Sequence, residues 1–489
     1  MTNYIINGKN AQFEVVIGCE IHAQISSNSK LFSRSSTEFG SSPNNNVSLI
    51  DAAMPGMLPI INQKCVIEAI KTGLAINATI NKISYFDRKN YFYPDLPQGY
   101  QISQFFTPIV ENGEVEIILE NGSKKKIRIE RIHLEQDAGK LIHDQNPRYS
   151  LIDLNRAGIG LMEIVSKPDL SSPEEAANYV KTIRAILRTV GSSDGDMEKG
   201  NLRCDANVSV RRVGDNKLGT RCEIKNLNST RNIAKAIEFE AYRQVAIIES
   251  GGLVEQETRL FNPNSGETAT MRSKEDAMDY RYFPDPDLPP LLIDDNLIKQ
   301  IQESLPELPE ARKSRYIDQF KINNEEASLL VSDNLFIEYF EKLIIKIEPK
   351  LAVTWLTVEL FGRLKKANIE FENNPIDSNK FIELLELIVS GEISGKIAKE
   401  VLDEMFVNNA NPKEIIVSKG LQQVSNEGEI ARIIERVIDD NPAQLAEYIS
   451  GKDKLFAFFI GQIMKETKGK ANPTIVNRIL QEQLNQKKL

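Results

Sequence analysis

The sequence predicts an α+β protein in which a region of strands and helices precedes a region that is almost wholly helical. Several segments before residue 292 alternate between polar and apolar residues, which is the period of a β-strand. After Asp294, apolar residues recur instead at helical spacing. Between the two regions, residues 283–290 include four prolines in eight positions, which indicates a stiff extended linker or a loop packed on the first region.

The chain has 489 residues, enough for about two to four domains with complete cores. We predict three: a first domain over 1–292, a helical domain over 293–408 and a helical tail over 409–489. The tail begins helices three times with the same dipeptide, at Asn411-Pro412, Asn441-Pro442 and Asn472-Pro473. In each, asparagine is expected to cap the helix and proline to occupy its first turn.

Four segments of the first domain place acids, histidine, asparagine or arginine at alternate positions, with apolar residues between them. They are residues 15–24, 131–137, 203–211 and 221–225. As strands, each would have one apolar face toward a core and one polar face. Because these polar residue types bind metal ions and phosphates, we predict that the four faces converge as the floor of a site. The alternative is an ordinary solvated sheet with ion pairs across its strands.

Three helices are predicted within the first domain. The first covers about 62–77, and the third covers about 229–250 and ends at Gly251-Gly252. The second begins at Ser172-Pro173-Glu174-Glu175, a capping box with proline at the first helical position, and runs to about Val190. Each carries apolar residues at helical spacing, so each is expected to pack one face on the core.

An aromatic loop is predicted at residues 86–101, which contain five aromatic side chains among prolines, acids and bases. The segment has neither a helical nor a strand period. Its rings could pin the loop on the core. Alternatively, they could face a substrate and stack on it, with Arg88 and Lys89 contacting anionic groups. The sequence leaves these two interpretations open.

Composition is that of an ordinary globular protein, with 41% hydrophobic and 26% charged residues. The net charge of −9 argues against a protein that wraps nucleic acid nonspecifically, so RNA binding would depend on local basic patches. The four cysteines form no CxxC pair, which disfavours a thiolate zinc site. We find no signal peptide and no apolar run that could span a bilayer, so a cytoplasmic location without membrane association is expected.

The common nucleotide-binding motifs do not occur in the sequence. Residues 391–396 are one residue short of a P-loop, and Gly158-Ile159-Gly160 lacks the third glycine of a dinucleotide-binding loop. If ATP is used, its site is therefore of another type. The acids on the polar strand faces could hold Mg²⁺, which prefers oxygen ligands and commonly bridges to phosphates.

Seven stretches resemble, in the same order, signature stretches of one family, the B subunits (GatB) of bacterial aspartyl/glutamyl-tRNA(Asn/Gln) amidotransferases. They are GCEIHAQ at 18–24, DRKNYFYPDLP at 87–97, RIHLE at 131–135, DLNRAG at 153–158, LRCDANVS at 202–209, EIKNLN at 223–228 and DYRYFP at 279–284. The similarity continues through GEISGK at 391–396 and MKETKGKANP at 464–473. It therefore covers essentially the whole chain.

The resemblance implies a cradle-like catalytic domain on an antiparallel sheet, followed by an all-helical domain and a helical tail module. It also implies a heterotrimer with a small C subunit and an amidase-like A subunit that frees ammonia from glutamine. The B subunit would use ATP and Mg²⁺ to convert misacylated Glu-tRNA(Gln), Asp-tRNA(Asn) or both into an acyl phosphate that ammonia attacks. Gln136 stands where family members often have a second acid, so no ligand role is carried over to it.

The polar strand faces and the resemblance together give a predicted set of site residues. The catalytic, metal-holding shell is expected to comprise Glu20, His22, Glu135, Asp205 and Glu223. Since histidine is an uncommon Mg²⁺ ligand, His22 could instead orient a carboxylate or a metal-bound water. Arg203 and Lys225 would contact phosphates, and Lys89 and Tyr91 the aminoacyl end of the substrate. In the tail, the tRNA would contact Lys465, Lys468 and Lys470.

The residues by themselves leave other functions open. A metal-dependent RNA nuclease or phosphohydrolase would use the same acids without ATP. A noncatalytic tRNA-binding scaffold would tolerate the loss of those acids. For the tail lysines, a solvated basic face is the alternative to an RNA contact.

Overall fold

The computed structural model describes residues 4–119, 121–273, 279–367, 369, 371–421, 427–467 and 470–488. The chain divides into two compact units, Met1–Pro309 and Glu310–Leu489. The predicted α+β class is confirmed, because largely antiparallel strands dominate the first unit and helices form the second. The three-domain division at 292 and 408 stays a prediction.

The described strands belong to the first unit. In chain order they are β1 (Ile5–Asn7), β2 (Gln12–Gln24), β3 (Thr79–Ile80), β4 (Ile83–Ser84), β5 (Asp87–Asn90), β6 (Tyr100–Ser103), β7 (Val110–Ile118), β8 (Lys124–Gln136), β9 (Lys140–Ile142), β10 (Leu151–Asp153), β11 (Gly160–Ser166), β12 (Leu202–Arg212), β13 (Cys222–Leu227), β14 (Glu257–Asn262), β15 (Glu267–Ser273), β16 (Phe283–Pro284) and β17 (Leu291–Leu292). The four alternating segments correspond to β2, β8, β12 and β13, so their assignment as strands is confirmed.

The main sheet has the order β15-β14-β13-β12-β2-β11-β8-β7-β3, with β1 paired to the start of β2. Its pairs are antiparallel except β13 with β14. Along β2, every second residue from Phe13 to Ala23 is buried, while the alternate residues lie half-buried on the other face. Directly paired residues share a face of a sheet. The register therefore places the polar residues of β2, β11, β12 and β13 on one side.

Helices cover the apolar face of the sheet, as their predicted apolar stripes require. They are α1 (Gln63–Ala75), α2 (Pro173–Val190), α3 (Thr230–Glu249) and α4 (Asp295–Glu303). The hydroxyl of Ser172 caps α2 by accepting from the backbone N–H of Glu175 at 3.1 Å, and Gly191 ends the helix with φ of 76°. The first three helices match the predicted ones. Leu297 and Ile298 of α4 also pack on this core, although they follow the proline-rich segment.

The second unit is helical. Its helices are α5 (Pro309–Phe320), α6 (Asn324–Leu330), α7 (Asn334–Ile344), α8 (Pro349–Thr354), α9 (Phe361–Ala367), α10 (Ser378–Val389), α11 (Gly395–Asn408), α12 (Pro412–Lys419), α13 (Glu427–Asp439), α14 (Pro442–Ile449), α15 (Leu455–Glu466) and α16 (Pro473–Lys488). A π-helical stretch, Trp355–Leu360, joins α8 to α9, and a short 3₁₀ helix covers Phe371–Asn373. These helices enclose two apolar cores, one formed between Tyr316 and Ile416 and one between Ile430 and Leu484.

The repeated Asn-Pro dipeptides of the tail do not all form the predicted helix cap. Asn411 caps α12 by accepting from the N–H of Lys413 at 2.9 Å, as predicted. The predicted cap at Asn441 is wrong. With φ of −127° and ψ of 58°, this residue turns its side chain back, and its amide donates to the carbonyl of Val437 at 2.7 Å. Among the helices of the described residues, none combines the length and apolarity needed to cross a membrane.

Candidate active site

A row of polar residues crosses four strands on the face of the sheet opposite the helices. Glu163 of β11 pairs directly with His133 of β8 on one side and with His22 of β2 on the other. His22 in turn pairs with Arg203 of β12. Two residues away along β2, Glu20 pairs with Asp205 of β12. The antiparallel register therefore assembles acids and bases from separate segments into one surface.

Two histidines and two glutamates form a buried cluster in this row. His22 Nε2 lies 3.4 Å from Glu163 Oε2 and 3.8 Å from Glu135 Oε1. His133 Nε2 lies 3.2 Å from Glu163 Oε2 and 3.8 Å from Glu135 Oε2. Because both carboxylates contact both imidazoles, the four side chains form a closed set of alternating acid and base. We call them the His/Glu cluster.

The electrostatics of the His/Glu cluster favour charged side chains in spite of burial. Burial disfavours the imidazolium, but the hydrogen bond to Glu163 and the negative charges around it outweigh this and raise the pKa of His22 to about 9. Glu163 and Glu135 likewise outweigh burial and raise the pKa of His133. Burial acts to raise the pKa of Glu163, but His133 and His22 hold it well below its usual range. The pKa of Glu135 is lowered against burial, chiefly by the Lys89 charge.

A second group, on β12 and β13, is organised around a lysine. Lys225 Nζ lies 2.5 Å from Asp205 Oδ2 and 2.9 Å from Glu223 Oε1. Burial works against this ammonium, but the charges of the two acids prevail and raise the pKa of Lys225. The hydroxyl of Thr258 on β14 donates to the other oxygen of Glu223 at 2.8 Å. We call Asp205, Glu223 and Lys225 the Lys225 group.

Glu20 lies between the two groups. Its Oε1 accepts from the amide of Asn207 at 2.8 Å. Desolvation is the main reason that the pKa of Glu20 is raised, and the charges of Glu163 and Glu223 act in the same direction. The carboxylate of Glu20 is thus influenced by acids of both groups, which makes it the electrostatic link between them.

The remaining predicted residues have identifiable partners. Arg203 is paired with Asp137, at 3.0 Å from NH2 to Oδ1, and this neighbouring charge raises the pKa of Arg203. Lys89 Nζ approaches Glu135 Oε2 at 4.0 Å and lies 5.1 Å from the ring centroid of Tyr280. The hydroxyl of Tyr91 donates to Gln101 at 3.4 Å.

Most of these groups line a cavity of about 480 Å³. Of the predicted site residues in the first unit, Glu135, Arg203 and Tyr91 are not part of its lining. Its floor includes Glu20, His22, His133, Glu163 and residues of the Lys225 group, and Lys89 and Arg131 add positive charge. Phe105, Tyr280 and Tyr282 form an aromatic side of the same cavity. Its volume lies within the range of about 300–1,000 Å³ that is common for small-molecule sites. Negative, positive and aromatic groups therefore converge on one partly open cavity.

Glu163 is the central residue that the sequence interpretation missed. It joins both histidines, yet β11 is buried on both faces and its sequence does not alternate. A strand covered on both faces appears in the sequence as a continuous apolar run. The available signal was a single acid within Leu161–Val165, because an isolated charge in such a run needs a buried partner.

The donor set of the His/Glu cluster fits a divalent cation. One ligand atom each from His22, Glu135 and Glu163 lies within 4.8 Å of the others. Two carboxylates and one imidazole can hold such an ion, with water completing the oxygen ligands that Mg²⁺ prefers. His133 Nδ1 is buried and has no hydrogen-bond partner, which is unusual for a residue in a purely structural network. Cation and proton would compete for the same imidazole nitrogen.

The tail lysines have different surroundings. Lys465 of α15 is exposed. Lys470 Nζ donates to the carbonyl of Gly420 at 2.6 Å, so this ammonium also fastens two segments of the tail. Lys468 lies outside the described residues. A shared basic face of all three lysines therefore stays a prediction.

Comparisons with known proteins indicate the same family over nearly the whole chain. The family described as "GatB/GatE catalytic domain" matches residues 15–299, and that described as "GatB domain" matches residues 338–484. The chain is 60% identical over 479 residues to a protein of Rickettsia canadensis (strain McKiel) that is named as the B subunit of an aspartyl/glutamyl-tRNA(Asn/Gln) amidotransferase. Proteins of the same name from Rickettsia felis and Rickettsia prowazekii are 58% and 59% identical. Each alignment covers 98% of this chain and 99% of the relative.

Proposed function

The chain belongs to the GatB family of tRNA-dependent amidotransferase B subunits, and from that premise we propose that it performs the ATP-dependent amidation of misacylated tRNA. The substrates are Glu-tRNA(Gln), Asp-tRNA(Asn) or both, and the reaction proceeds in the cytoplasm through an acyl phosphate. An amidase-like A subunit supplies the ammonia and a small C subunit completes a heterotrimer. The main support is the single cavity in which the His/Glu cluster and the Lys225 group meet.

The proposed reaction explains why charged groups of both signs are needed. The side-chain carboxylate of the aminoacyl-tRNA cannot accept ammonia directly, because its leaving group would be oxide. Transfer of the terminal phosphoryl group of ATP to a carboxylate oxygen gives the acyl phosphate and ADP. Ammonia then attacks the carbonyl carbon, phosphate leaves and a proton is released, which yields the amide. Both steps develop negative charge on phosphate oxygens, so stabilisation of that charge is the main catalytic task.

We assign the residues according to their partners. His22, Glu135 and Glu163 would hold Mg²⁺, with Glu20, two residues from His22 on the same face of β2, contributing a further oxygen. When bound, Mg²⁺ would neutralise charge on phosphate oxygens.

Lys225 would contact a phosphate from its position between Asp205 and Glu223, and the two acids keep its ammonium charged and oriented. The expectation that Asp205 and Glu223 also contact metal, and that Arg203, Lys89 and Tyr91 contact substrate, stays part of this proposal.

Reconstitution of the chain with its partner subunits tests the function. Amidation of each misacylated tRNA is measured with and without ATP, and glutaminase activity is measured in the same complex. Asp205→Ala should abolish the formation of amidated tRNA, because Lys225 loses its closest partner, while glutaminase activity survives or falls less. Glu114→Ala, at a partly exposed acid of β7 that pairs only with Lys126 among the ion pairs described, serves as the matched control. Near-normal amidation by Asp205→Ala would remove this residue from the scheme.

The same reagents separate this function from a nuclease or a scaffold. Cleavage of tRNA by the chain with Mg²⁺ alone would contradict the amidotransferase assignment and support a nuclease. Full amidation by variants that lack the floor acids would indicate a scaffold. ATP-dependent amidation that requires Asp205 would exclude both.

We further propose that the tail contacts the tRNA body. Lys465→Gln is the cleaner test, because Lys470 also fastens the tail through Gly420. Loss of one phosphate contact should raise the KM for tRNA more than it lowers kcat, and should reduce the slope of log Kd against log salt by about 1. Lys452→Gln, at an exposed lysine paired with Glu447, is the control. A change in kcat alone would give the tail another role.

A further inference from the structure

We propose that Phe105, Tyr280 and Tyr282, which we call the aromatic wall, stack the adenine ring of a substrate nucleotide. This inference rests on the proposed function and identifies the base-binding end of the same cavity. All three side chains line the cavity that also contains the charged floor. One cavity thus offers charged groups suited to phosphates and ring faces suited to a base.

The rings of the aromatic wall are arranged as a platform. Phe105 and Tyr282 are stacked, with ring centroids 4.0 Å apart and an interplanar angle of 11°. Tyr280 meets Tyr282 edge to face at 5.9 Å. Phe105 nevertheless remains 41% exposed, so the ring contacts leave much of its surface available. A flat heterocycle laid against such a surface removes apolar area from water and adds ring–ring attraction.

Positive charge lies beside the same rings. Lys89 Nζ is 5.1 Å from the ring centroid of Tyr280, and the guanidinium carbon of Arg131 is 6.0 Å from that of Phe105. Arg131 Nε is buried and has no hydrogen-bond partner. A nucleotide carries its negative charge a short distance from its base, so these cations lie where the aromatic and charged parts of the cavity adjoin.

The tyrosines are held by contacts outside the cavity. The backbone N–H of Asn90 donates to the carbonyl of Tyr280 at 3.0 Å. Its side-chain amide donates to the carbonyls of Tyr280 and Arg281 at 3.0 and 2.9 Å. Arg281 has φ of 45°, an unfavourable conformation for a bulky residue. Such strain persists where surrounding contacts over-determine the backbone, which is common at ligand sites.

Contacts with β5 also fix the residues that follow Tyr282. Phe283 and Pro284 pair with β5, and Arg88 Nε contacts Asp285 Oδ2 at 2.8 Å. The carboxylate of Asp285 is fully buried, so this ion pair fixes the segment to the strand that carries Lys89. The wall is therefore positioned before a ligand arrives, which reduces the entropy cost of stacking.

Adenine is the base that both proposed substrates carry. ATP brings one adenine, and the aminoacyl group of a tRNA is attached to a terminal adenosine. Stacking requires only the ring face, so either source satisfies the chemistry of the wall. The effects on ATP and on aminoacyl-tRNA must therefore be measured separately.

The test compares Tyr282→Ala with Tyr282→Phe, which keeps the ring. Binding of ATP and of inorganic tripolyphosphate to the full chain is measured by calorimetry. In the reconstituted complex, the KM for ATP and the KM for aminoacyl-tRNA are measured. Removal of one stacking ring should weaken the affected substrate by about 5- to 150-fold. Tripolyphosphate binding should be unchanged, and Tyr282→Phe should behave like the wild-type chain.

The measurements distinguish ATP from tRNA as the source of the stacked adenine. They also separate a failure of this inference from a failure of the proposed function. Weaker ATP binding with unchanged tripolyphosphate binding identifies ATP as the stacked nucleotide, whereas a raised KM for tRNA alone identifies the terminal adenosine. Phe92→Ala, at a ring that is 85% exposed and does not line the cavity, should change neither the binding of ATP nor the KM for tRNA. Unchanged constants in Tyr282→Ala, or equal losses of ATP and tripolyphosphate, would overturn the inference. Amidation by the wild-type complex without ATP would instead contradict the proposed function.

Discussion

The two units of the molecule bury different kinds of side chain. In the part of the chain that the structure describes, buried polar and charged side chains are concentrated before residue 310, and those after it are Lys313 and Ser378. The helical unit instead buries aliphatic and aromatic residues in two cores. Burial of a charge is costly unless it is paired, so the first unit keeps groups that packing alone would disfavour. The comparison locates the chemistry in the sheet unit.

Within the sheet unit, a second comparison separates structural from functional burial. Glu240 of α3 is fully buried, and it accepts hydrogen bonds from Arg243, Gln244 and Thr268 and pairs with Arg259. That network joins α3 to strands β14 and β15, and within it Gln244 Oε1 is buried without a hydrogen-bond partner. The His/Glu cluster also leaves a buried atom, His133 Nδ1, without a partner, but it differs because His22, His133 and Glu163 line a cavity. The open volume beside the cluster, and not incomplete hydrogen bonding, is therefore what distinguishes the site.

The largest effect that tests the comparison between the two units is expected in the helical unit. Phe340 is fully buried and meets Tyr316 edge to face at 5.1 Å. Phe340→Ala should lower the free energy of unfolding of this unit by about 3–5 kcal/mol, because it removes transfer energy and leaves a cavity. Trp355, the one tryptophan of the sequence, is buried in the same core. Its fluorescence during denaturation therefore reports this unit selectively.

Val389→Ala provides the control for that measurement. Val389 ends α10 and is 64% exposed, so its truncation should leave the Trp355 transition within about 0.5 kcal/mol. Amidation by Phe340→Ala, measured well below its transition, should keep the wild-type kcat. A loss of kcat at a temperature where Trp355 reports a folded unit would show that packing and chemistry are not divided as the comparison states.

The next effect, on activity, is expected from Glu163→Gln. The substitution keeps the shape of the side chain but removes the charge that both histidines contact. Amidation should fall about 100-fold, equivalent to about 2.7 kcal/mol, because loss of this carboxylate disorders the proposed cation site. The Trp355 transition should not move. Glu114→Gln on β7 is the matched control and should retain activity.

A direct binding measurement supports the interpretation of that variant. Titration with Mn²⁺, followed by its paramagnetic signal, should show weaker binding to Glu163→Gln than to the wild-type chain. Equal affinity together with lost amidation would mean that Glu163 positions His22 and His133 without holding a cation. Unchanged amidation would remove the His/Glu cluster from the proposed mechanism.

Alternation in the sequence predicted the parts of the site that lie on half-buried strands. Glu20 and His22 on β2, and Asp205 on β12, face the cavity because a period of two fixes their side of the sheet. The helices were predictable from their caps for the same local reason. Ser172 before Pro173 determines where α2 begins regardless of what the helix packs against.

The order of the strands was not predictable, because it depends on long-range pairing. Insertion of β11 between β2 and β8 brings Glu163 between the two histidines, although 30 residues separate it from His133 along the chain. Sequence periodicity carries no signal for that neighbour relation. For the same reason, the close approach of Lys225 to Asp205 could not be derived from two alternating segments considered separately.

The smallest effect tests whether local capping in the helical unit is independent of the site. Asp377 caps α10 by accepting from the N–H groups of Asn379 and Lys380 at 2.9 and 3.2 Å. Asp377→Ala should lower the stability reported by Trp355 by about 1 kcal/mol, whereas Asp377→Asn should lower it less because the amide oxygen can still accept. Amidation kcat should remain at the wild-type value in both. If Asp377→Ala lost activity without loss of stability, the helical unit would contribute to chemistry through a route other than its own packing, and the division between the two units would fail.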